Sequence, residues 1–310
     1  MQQPNMQQGE ERRFAIAGRT LAARSWGTAS GEPFFCLHGW LDNANSFNAL
    51  APKLPELNLL ALDFAGHGYS DHLSPGCHYF PLGYMQDMLA AADALGWDRF
   101  GLIGHSMGAA IASELAGLFP ERITKVVLID GMVHHQGGPA ECNARNREAI
   151  EQMLRSHEKQ PPVYPDLASM AERVTAATDQ SFEAASELVA RGHKTVAGGV
   201  TWRSDPRIRF ATPLRISSRQ IDALMAATTA PSLLLTASRG DRWYRGGVER
   251  RARHHPNLEI IELDGPHHLH LEKDYVDGVA GEVRRFLGLE TAGTHAAQGA
   301  EVEAGQACQG

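Results

Sequence analysis

The sequence predicts an α/β fold built on a mostly parallel sheet. Continuous apolar segments that end near Gly39, Gly104 and Asp130 are typical of strands covered on both faces. Residues 82–95 and 107–118 carry apolar side chains at three- and four-residue spacing, which predicts helices. Strands that alternate with helices along a chain favour a parallel sheet flanked by helices.

The first half of the chain supplies most of these elements in order. Short segments at 14–17 and 21–25 predict two opening strands, and the apolar segments 33–39 and 57–68 predict two more. A short helix is expected at 46–54. The helix predicted at 82–95 ends at Gly96, and the helix predicted at 107–118 ends before Pro120, because glycine and proline terminate helices.

The alternation of strands and helices breaks after Gly131. From there to about residue 228 the patterns are helical with little strand signal, and Ser217 and Gln220 are spaced as a capping box. Strand patterns resume at Pro231 and at 258–263, and a last helix ends at Gly288. The helical block is therefore predicted to be an insertion between two strands of one sheet.

Composition restricts the classes of partner. The 310 residues include 36 acidic and 29 basic side chains, a net charge of −7, which disfavours nucleic-acid binding. Apolar runs reach only about four residues, whereas a membrane-spanning helix needs about 20. The chain start lacks a secretion-signal pattern and the cysteines are scattered, so a cytoplasmic location is expected. Residues 1–11 and 290–310 are predicted to be disordered tails.

Ser106 lies in the pattern Gly104-x-Ser-x-Gly108, between a predicted strand and a predicted helix. This is the arrangement of a nucleophile elbow, in which a tight strand-to-helix turn presents the serine hydroxyl. A side chain at either glycine would collide with neighbouring backbone. The backbone N–H of Met107 begins the helix, where it can stabilise an oxyanion. Ser106 is therefore the candidate nucleophile.

A serine nucleophile needs a base, and in this chemistry the chain order is serine, acid, histidine. The segment "GPHHLHLE" follows the last predicted strand and contains His267, His268 and His270. These histidines match none of the familiar metalloenzyme motifs, so neither a metal nor a cofactor is expected.

Five motifs together make the chain resemble the α/β-hydrolase superfamily, and within it the serine hydrolase-like subgroup: "HGWLDNANSF", "DFAGHGYSDH", "GHSMG", "VTWRSDPRIR" and "GPHHLHLE". The resemblance implies a mostly parallel eight-stranded sheet flanked by helices. It implies a core of residues 12–132 and 229–289, with a helical cap at 133–228 inserted after the sixth strand.

The resemblance also implies roles for individual residues. His267 lies five positions before Glu272 and is the expected base, with His268 as the alternative. Asp241 is the expected acid, because it follows the strand after the insertion, and Asp130 is the alternative acid.

The second oxyanion donor implied by the resemblance is the backbone N–H of Trp40, which joins that of Met107. His38, Trp40, His105 and Trp202 are possible pocket residues. Arg203 and Arg207 are expected to anchor the cap by ion pairs with Asp205, and the alternative is that they line the acyl pocket.

The expected activity is cleavage of a small-molecule carboxylic ester through an acyl-enzyme intermediate. The same triad could act on a thioester, an amide or a C–C bond, or in perhydrolysis, because function depends on the pocket rather than the fold. A catalytically silent, hydrolase-shaped binding protein is the alternative from another class. The sequence does not specify an oligomeric state.

Overall fold

The computed structural model describes residues 9–134, 139–156, 160–213, 216–240 and 245–289. The strands in chain order are β1 (Glu10–Ile16), β2 (Arg19–Gly27), β3 (Pro33–Leu37), β4 (Asn58–Leu62), β5 (Phe100–His105), β6 (Ile123–Ile129), β7 (Val163–Tyr164), β8 (His193–Val196), β9 (Gly199–Trp202), β10 (Ser232–Arg239) and β11 (Leu258–Pro266). The helices are α1 (Pro81–Leu95), α2 (Met107–Leu118), α3 (Pro139–Leu154), α4 (Leu167–Thr175), α5 (Phe182–Gly192), α6 (Ser218–Ala227), α7 (Arg245–Ala252) and α8 (Val276–Leu287).

Eight strands form one sheet in the order β1-β2-β4-β3-β5-β6-β10-β11. The pairs β1–β2 and β2–β4 are antiparallel, and all the other neighbouring pairs are parallel. The predicted fold class is therefore confirmed. Ligand sites in sheets of this kind lie beyond the carboxyl ends of the parallel strands. Gly39, Ser106 and Asp130 all follow shortly after such ends.

The core consists of two apolar layers, one on each face of the sheet. Phe35 and Leu37 of β3 pack into the layer formed with α1, α2 and α6. Phe34 and Cys36 of the same strand pack into the layer formed with α8 and two 3₁₀ turns, Ala44–Phe47 and Ala51–Lys53. Because successive side chains of a strand point to opposite faces, burial on both sides produces the continuous apolar segments seen in the sequence.

The segment between β6 and β10, referred to below as the cap, holds α3 to α6 and also a small antiparallel sheet in the order β7-β9-β8. The sequence showed little strand signal here because these strands have only two to four residues. A sequence signal for two of these strands was nevertheless present, namely the pair of glycines in the turn between β8 and β9. Gly198 and Gly199 have φ values of 85° and 144°, which favour glycine in a tight hairpin.

Two other local expectations need correction. The helix predicted at 46–54 is replaced by the two 3₁₀ turns, the second of which has proline near its start. The first strand begins at Glu10, so Glu10 and Glu11 belong to the sheet rather than to the predicted tail. Glu11 is held there because its carboxylate accepts a 2.5 Å hydrogen bond from Nη1 of Arg191.

Arg191 of α5 connects the cap to the core. Its side chain is buried, and its Nε lies 2.8 and 3.0 Å from the two carboxylate oxygens of Asp63, which is also fully buried. Asp63 also accepts hydrogen bonds from the backbone N–H groups of Ala44 and Tyr69. No sequence pattern indicates this pair, since an arginine near the end of an amphipathic helix usually faces water.

The motif "TWRSDPRIRF" contributes a second anchor. Arg207 is paired with Asp205, and its guanidinium donates hydrogen bonds to the backbone carbonyls of Leu73, Ser74 and Cys77 in the core. Arg203 donates to the carbonyl of His193 instead. Within the described ranges, no helix is both long enough and apolar enough to cross a membrane.

Candidate active site

The turn from β5 into α2 has the geometry of a nucleophile elbow. Ser106 lies between the two elements with φ 52° and ψ −114°, a strained conformation for a residue with a side chain. A Cβ atom at Gly104 would lie 2.5 Å from the carbonyl oxygen of Gly108, and one at Gly108 would lie 2.0 Å from that of Leu37. Both glycines are therefore required sterically, and they allow the turn that presents Ser106.

Asp130 follows β6 directly beside Ser106. Strands β5 and β6 pair in parallel, with His105 opposite Ile129. The N–H of Ser106 donates a 3.0 Å hydrogen bond to the carbonyl of Ile129. Asp130 also has a positive φ, of 42°. Ser106 and this carboxylate are thus at adjacent positions at the edge of the sheet.

The Asp130 side chain is fully buried, and both of its carboxylate oxygens are engaged. Its Oδ1 accepts a 2.9 Å hydrogen bond from the backbone N–H of Ala237 in β10, and its Oδ2 lies 2.6 Å from Nδ1 of His267. A Cβ at Gly240 would lie 2.0 Å from Oδ2, so glycine is needed there. Asp241, the acid favoured by the sequence, lies outside the described residues.

The contact with Asp130 determines which ring nitrogen of His267 can accept a proton. A buried carboxylate accepts the Nδ1–H, so in the neutral ring Nε2 is the nitrogen that can accept a proton. His267 is partly buried, with 14% of its side chain exposed. Among the described residues Ser106 Oγ makes no hydrogen bond; in unliganded active sites the serine–histidine contact is often long and shortens when substrate binds.

His105 directly precedes Ser106 in the chain, and His268 directly follows His267. Nε2 of His105 lies 3.1 Å from the backbone carbonyl of His267, which ties the segment before Ser106 to the segment carrying the base. His268 is buried and its Nε2 lies 3.2 Å from Oδ2 of Asp42. His268 thus contacts the carboxylate of Asp42, whereas His267 contacts the carboxylate of Asp130.

The two expected oxyanion donors belong to segments that are packed together. Met107 is the first residue of α2, so its N–H has no acceptor within the helix. The close approach of Gly108 to the carbonyls of Leu37 and His38 brings this helix start against the loop after β3. Trp40 lies in that loop, in a turn closed by the hydrogen bond from Asp42 N–H to the carbonyl of Gly39.

The predicted pocket residues have different surroundings. The indole of Trp40 is half exposed and its Nε1 donates to the carbonyl of Ile208, so it lies where the cap meets the oxyanion loop. Trp202 instead packs inside the small apolar cluster of the cap, edge-on to Tyr164.

His38 joins the ends of β3 and β4. Its Nε2 accepts a hydrogen bond from the N–H of Phe64, and its Nδ1 donates to the carbonyl of Gly39. Burial lowers the pKa of His38 and, together with neighbouring His268, lowers the pKa of His105 to about 3. Both rings are therefore neutral at physiological pH.

A possible metal-ligand group lies beside these residues. One oxygen of Asp42 and one ring nitrogen each of His105 and His268 all lie within 4.8 Å of one another. Burial opposes ionisation of Asp42, but the facing His268 holds its pKa well below the usual range. The sequence had suggested no metal, because Asp42 is far along the chain from the histidines.

The sheet order, the strained serine turn and the histidine–carboxylate pair together define a hydrolase of the α/β class. Residues 32–274 match the α/β-hydrolase fold family. The chain belongs to this family, and within it to the serine hydrolase-like subgroup.

Individual relatives agree with this assignment. The chain is 31% identical over 296 residues to a serine hydrolase-like protein of Danio rerio, covering 89% of this chain and 88% of that protein. Among solved structures it is similar to a hypothetical protein from Pseudomonas aeruginosa PAO1, with 39% identity, a TM-score of 0.86, and coverage of 90% and 99%. A thioesterase domain from the curacin biosynthetic pathway shares the fold, with a TM-score of 0.80, 23% identity, and coverage of 89% and 99%.

Proposed function

We propose that this chain is a serine hydrolase that cleaves carboxylic esters through an acyl-enzyme intermediate, with Ser106 as nucleophile, His267 as base and Asp130 as the triad acid. The observation that carries the proposal is the 2.6 Å contact between Nδ1 of His267 and the buried Oδ2 of Asp130, beside the strained Ser106 turn. Asp130 is thus preferred over Asp241, because one Nδ1–H is already directed at a carboxylate.

The first half of the reaction forms the acyl-enzyme. Ser106 Oγ attacks the ester carbonyl carbon as its proton passes to Nε2 of His267, and the resulting oxyanion accepts hydrogen bonds from the N–H groups of Trp40 and Met107. The C–O bond to the alcohol then breaks, and the alcohol leaves with the proton from His267. Asp130 keeps the ring oriented and stabilises the imidazolium that forms in between.

The second half returns the enzyme to its starting state. Water replaces the alcohol and gives a proton to His267 as its oxygen bonds to the acyl carbon. The Oγ–carbon bond then breaks, Ser106 recovers its proton, and the carboxylic acid leaves. No redox step or co-reactant other than water is needed.

A fluorophosphonate probe tests the nucleophile directly, because it forms a covalent bond only with an activated serine. Labelling is expected for the wild-type chain and for Ser186→Ala, a control on α5, and is expected to be lost in Ser106→Ala. Hydrolysis of p-nitrophenyl esters of graded chain length then measures turnover and acyl preference. Equal labelling of wild type and Ser106→Ala, or an unlabelled wild type, contradicts the proposal.

A further inference from the structure

A buried polar cluster lies immediately behind the proposed triad. Oδ2 of Asp42 is 3.2 Å from Nε2 of His268 and 3.5 Å from Nδ1 of His105, and all three residues are buried. The triad uses none of these side chains. His105 and His268 are instead the direct chain neighbours of Ser106 and His267.

Hydrogen bonding determines the proton position on His105. Its Nε2 lies 3.1 Å from the carbonyl oxygen of His267, and a carbonyl only accepts, so Nε2 carries the proton. The Nδ1 lone pair then points towards the Asp42 carboxylate. Within the described part of the chain Nδ1 has no hydrogen-bond partner, although it is buried. Two acceptors that face each other away from water are unfavourable unless a proton or a metal ion lies between them.

The surroundings of His105 and Asp42 match those of metal ligands in proteins. A histidine ligand usually donates its second ring N–H to a backbone carbonyl, and a ligating carboxylate is itself hydrogen-bonded. His105 donates to the carbonyl of His267, and Asp42 accepts from Ser46 Oγ at 3.3 Å. Tetrahedral ligands about 2.0–2.2 Å from one ion are separated by about 3.3–3.6 Å. The two separations from Oδ2 of Asp42, 3.2 and 3.5 Å, are close to this.

We propose that Oδ2 of Asp42, Nδ1 of His105 and Nε2 of His268 bind one divalent ion of the Zn²⁺ type. Two imidazoles and a carboxylate are a ligand set that zinc uses, whereas Mg²⁺ and Ca²⁺ prefer oxygen ligands. Three protein ligands leave a fourth position for water. His268 would bind as the Nδ1–H tautomer, whose buried N–H has no acceptor among the described residues. His270 is not a ligand, because its Nε2 is engaged with Ser46 Oγ at 2.9 Å.

The site would connect three segments that the proposed reaction needs: the oxyanion loop, the nucleophile turn and the base loop. The proposal does not depend on the hydrolase chemistry, since neither Ser106 nor His267 is a ligand. The competing explanation is a second proton on His105, which would make it an imidazolium paired with Asp42. A direct metal measurement separates the two.

The test measures binding of Zn²⁺ to the full chain after any bound metal has been removed with a chelator. Zn²⁺ is titrated by calorimetry, and Co²⁺ is added as a probe whose visible d–d bands report a four-coordinate site. We expect one Zn²⁺ per wild-type chain, and the same for Ser106→Ala, which abolishes turnover without removing a ligand. Asp42→Asn and His268→Gln should each weaken binding at least about 100-fold, since losing only a supporting group costs 10–100-fold.

Two controls keep the result interpretable. His254→Gln removes an exposed histidine and should bind Zn²⁺ as the wild type does. X-ray absorption of the zinc-loaded wild type should show two imidazole rings in the first coordination sphere, a readout that does not require the variants to fold. Absence of wild-type binding, loss of binding in His254→Gln alone, or a first sphere without two imidazoles overturns the proposal.

Discussion

Nδ1 of His267 and Oδ2 of Asp130 lie 2.6 Å apart, and the other oxygen of Asp130 accepts the backbone N–H of Ala237. Short contacts of this kind are typical of charge-assisted hydrogen bonds. The carboxylate is therefore fixed at both oxygens before any substrate arrives.

The first prediction concerns the triad acid. Asp130→Asn should lower kcat for ester hydrolysis by about 10⁴-fold, because an amide at this position favours the wrong tautomer of the base. Asp241→Asn, measured on the same ester, should retain most of the wild-type kcat. Full activity in Asp130→Asn together with loss in Asp241→Asn would assign the acid to Asp241 instead.

The second prediction concerns the glycines of the nucleophile turn. Gly108→Ala should prevent correct folding or abolish probe labelling, because the new Cβ would meet the Leu37 carbonyl at 2.0 Å, and backbone cannot move aside cheaply. Gly281→Ala in α8 is the matched control, since a methyl group added there would have no neighbouring side chain within 4 Å among the described residues. Alanine there should stabilise the helix by about 0.5–1 kcal/mol, measured by urea unfolding. A Gly108→Ala protein with normal stability and labelling would contradict the steric argument.

The third prediction concerns the buried ion pair between cap and core. Arg191→Ala should lower the free energy of unfolding by about 3–5 kcal/mol, because Asp63 keeps its charge in a buried site without its partner. Arg285→Ala removes an arginine from exposed ion pairs with Glu259 and Glu282, and should leave stability almost unchanged. Equal, small effects of the two substitutions would show that Arg191 does not anchor the cap.

The fourth prediction concerns acid stability. Burial, followed by repulsion from His38, lowers the pKa of His67 to about 3. The folded state therefore keeps this ring neutral, while the unfolded chain takes up a proton below about pH 6.5, the ordinary value for histidine. Stability is fully present above that value and falls as the pH is lowered towards 3.

Urea unfolding at pH 7 and pH 5 measures this effect. Each such histidine contributes a slope of up to about 1.4 kcal/mol per pH unit. His67→Gln should lose less stability between the two pH values than the wild type does. An unchanged difference would show that His67 does not cause the acid sensitivity.

The sequence predicted the elements whose signals are local. The apolar strands, the helices ended by Gly96 and Gly288 and the serine turn all depend on neighbouring residues, and the structure contains each of them. The turn was predictable because it leaves no room for a side chain at Gly104 or Gly108, and both positions lie only two residues from Ser106.

Contacts between residues far apart in the chain were harder to predict from the sequence. The choice between Asp130 and Asp241 depends on which strand end faces His267, and both aspartates follow predicted strands in a similar way. The Arg191–Asp63 pair joins residues 128 positions apart, and the Asp42 cluster joins the loop after β3 to the loop after β11. No periodicity reports such contacts, because they arise only when the sheet is assembled.

Asp130 directly follows β6, the strand after which the chain enters the cap. Its carboxylate accepts a hydrogen bond from the N–H of Ala237 in β10, the strand to which the chain returns after the cap. The side chain of Asp130 thus links the two ends of the inserted segment directly to each other through one hydrogen bond. Cap residues outside the contacts that Arg191, Arg207 and Ile208 make with the core can therefore change without moving the Asp130 carboxylate. Under the proposed function, the acyl and alcohol groups accepted are expected to vary with those cap residues while the contact between Asp130 and His267 is kept.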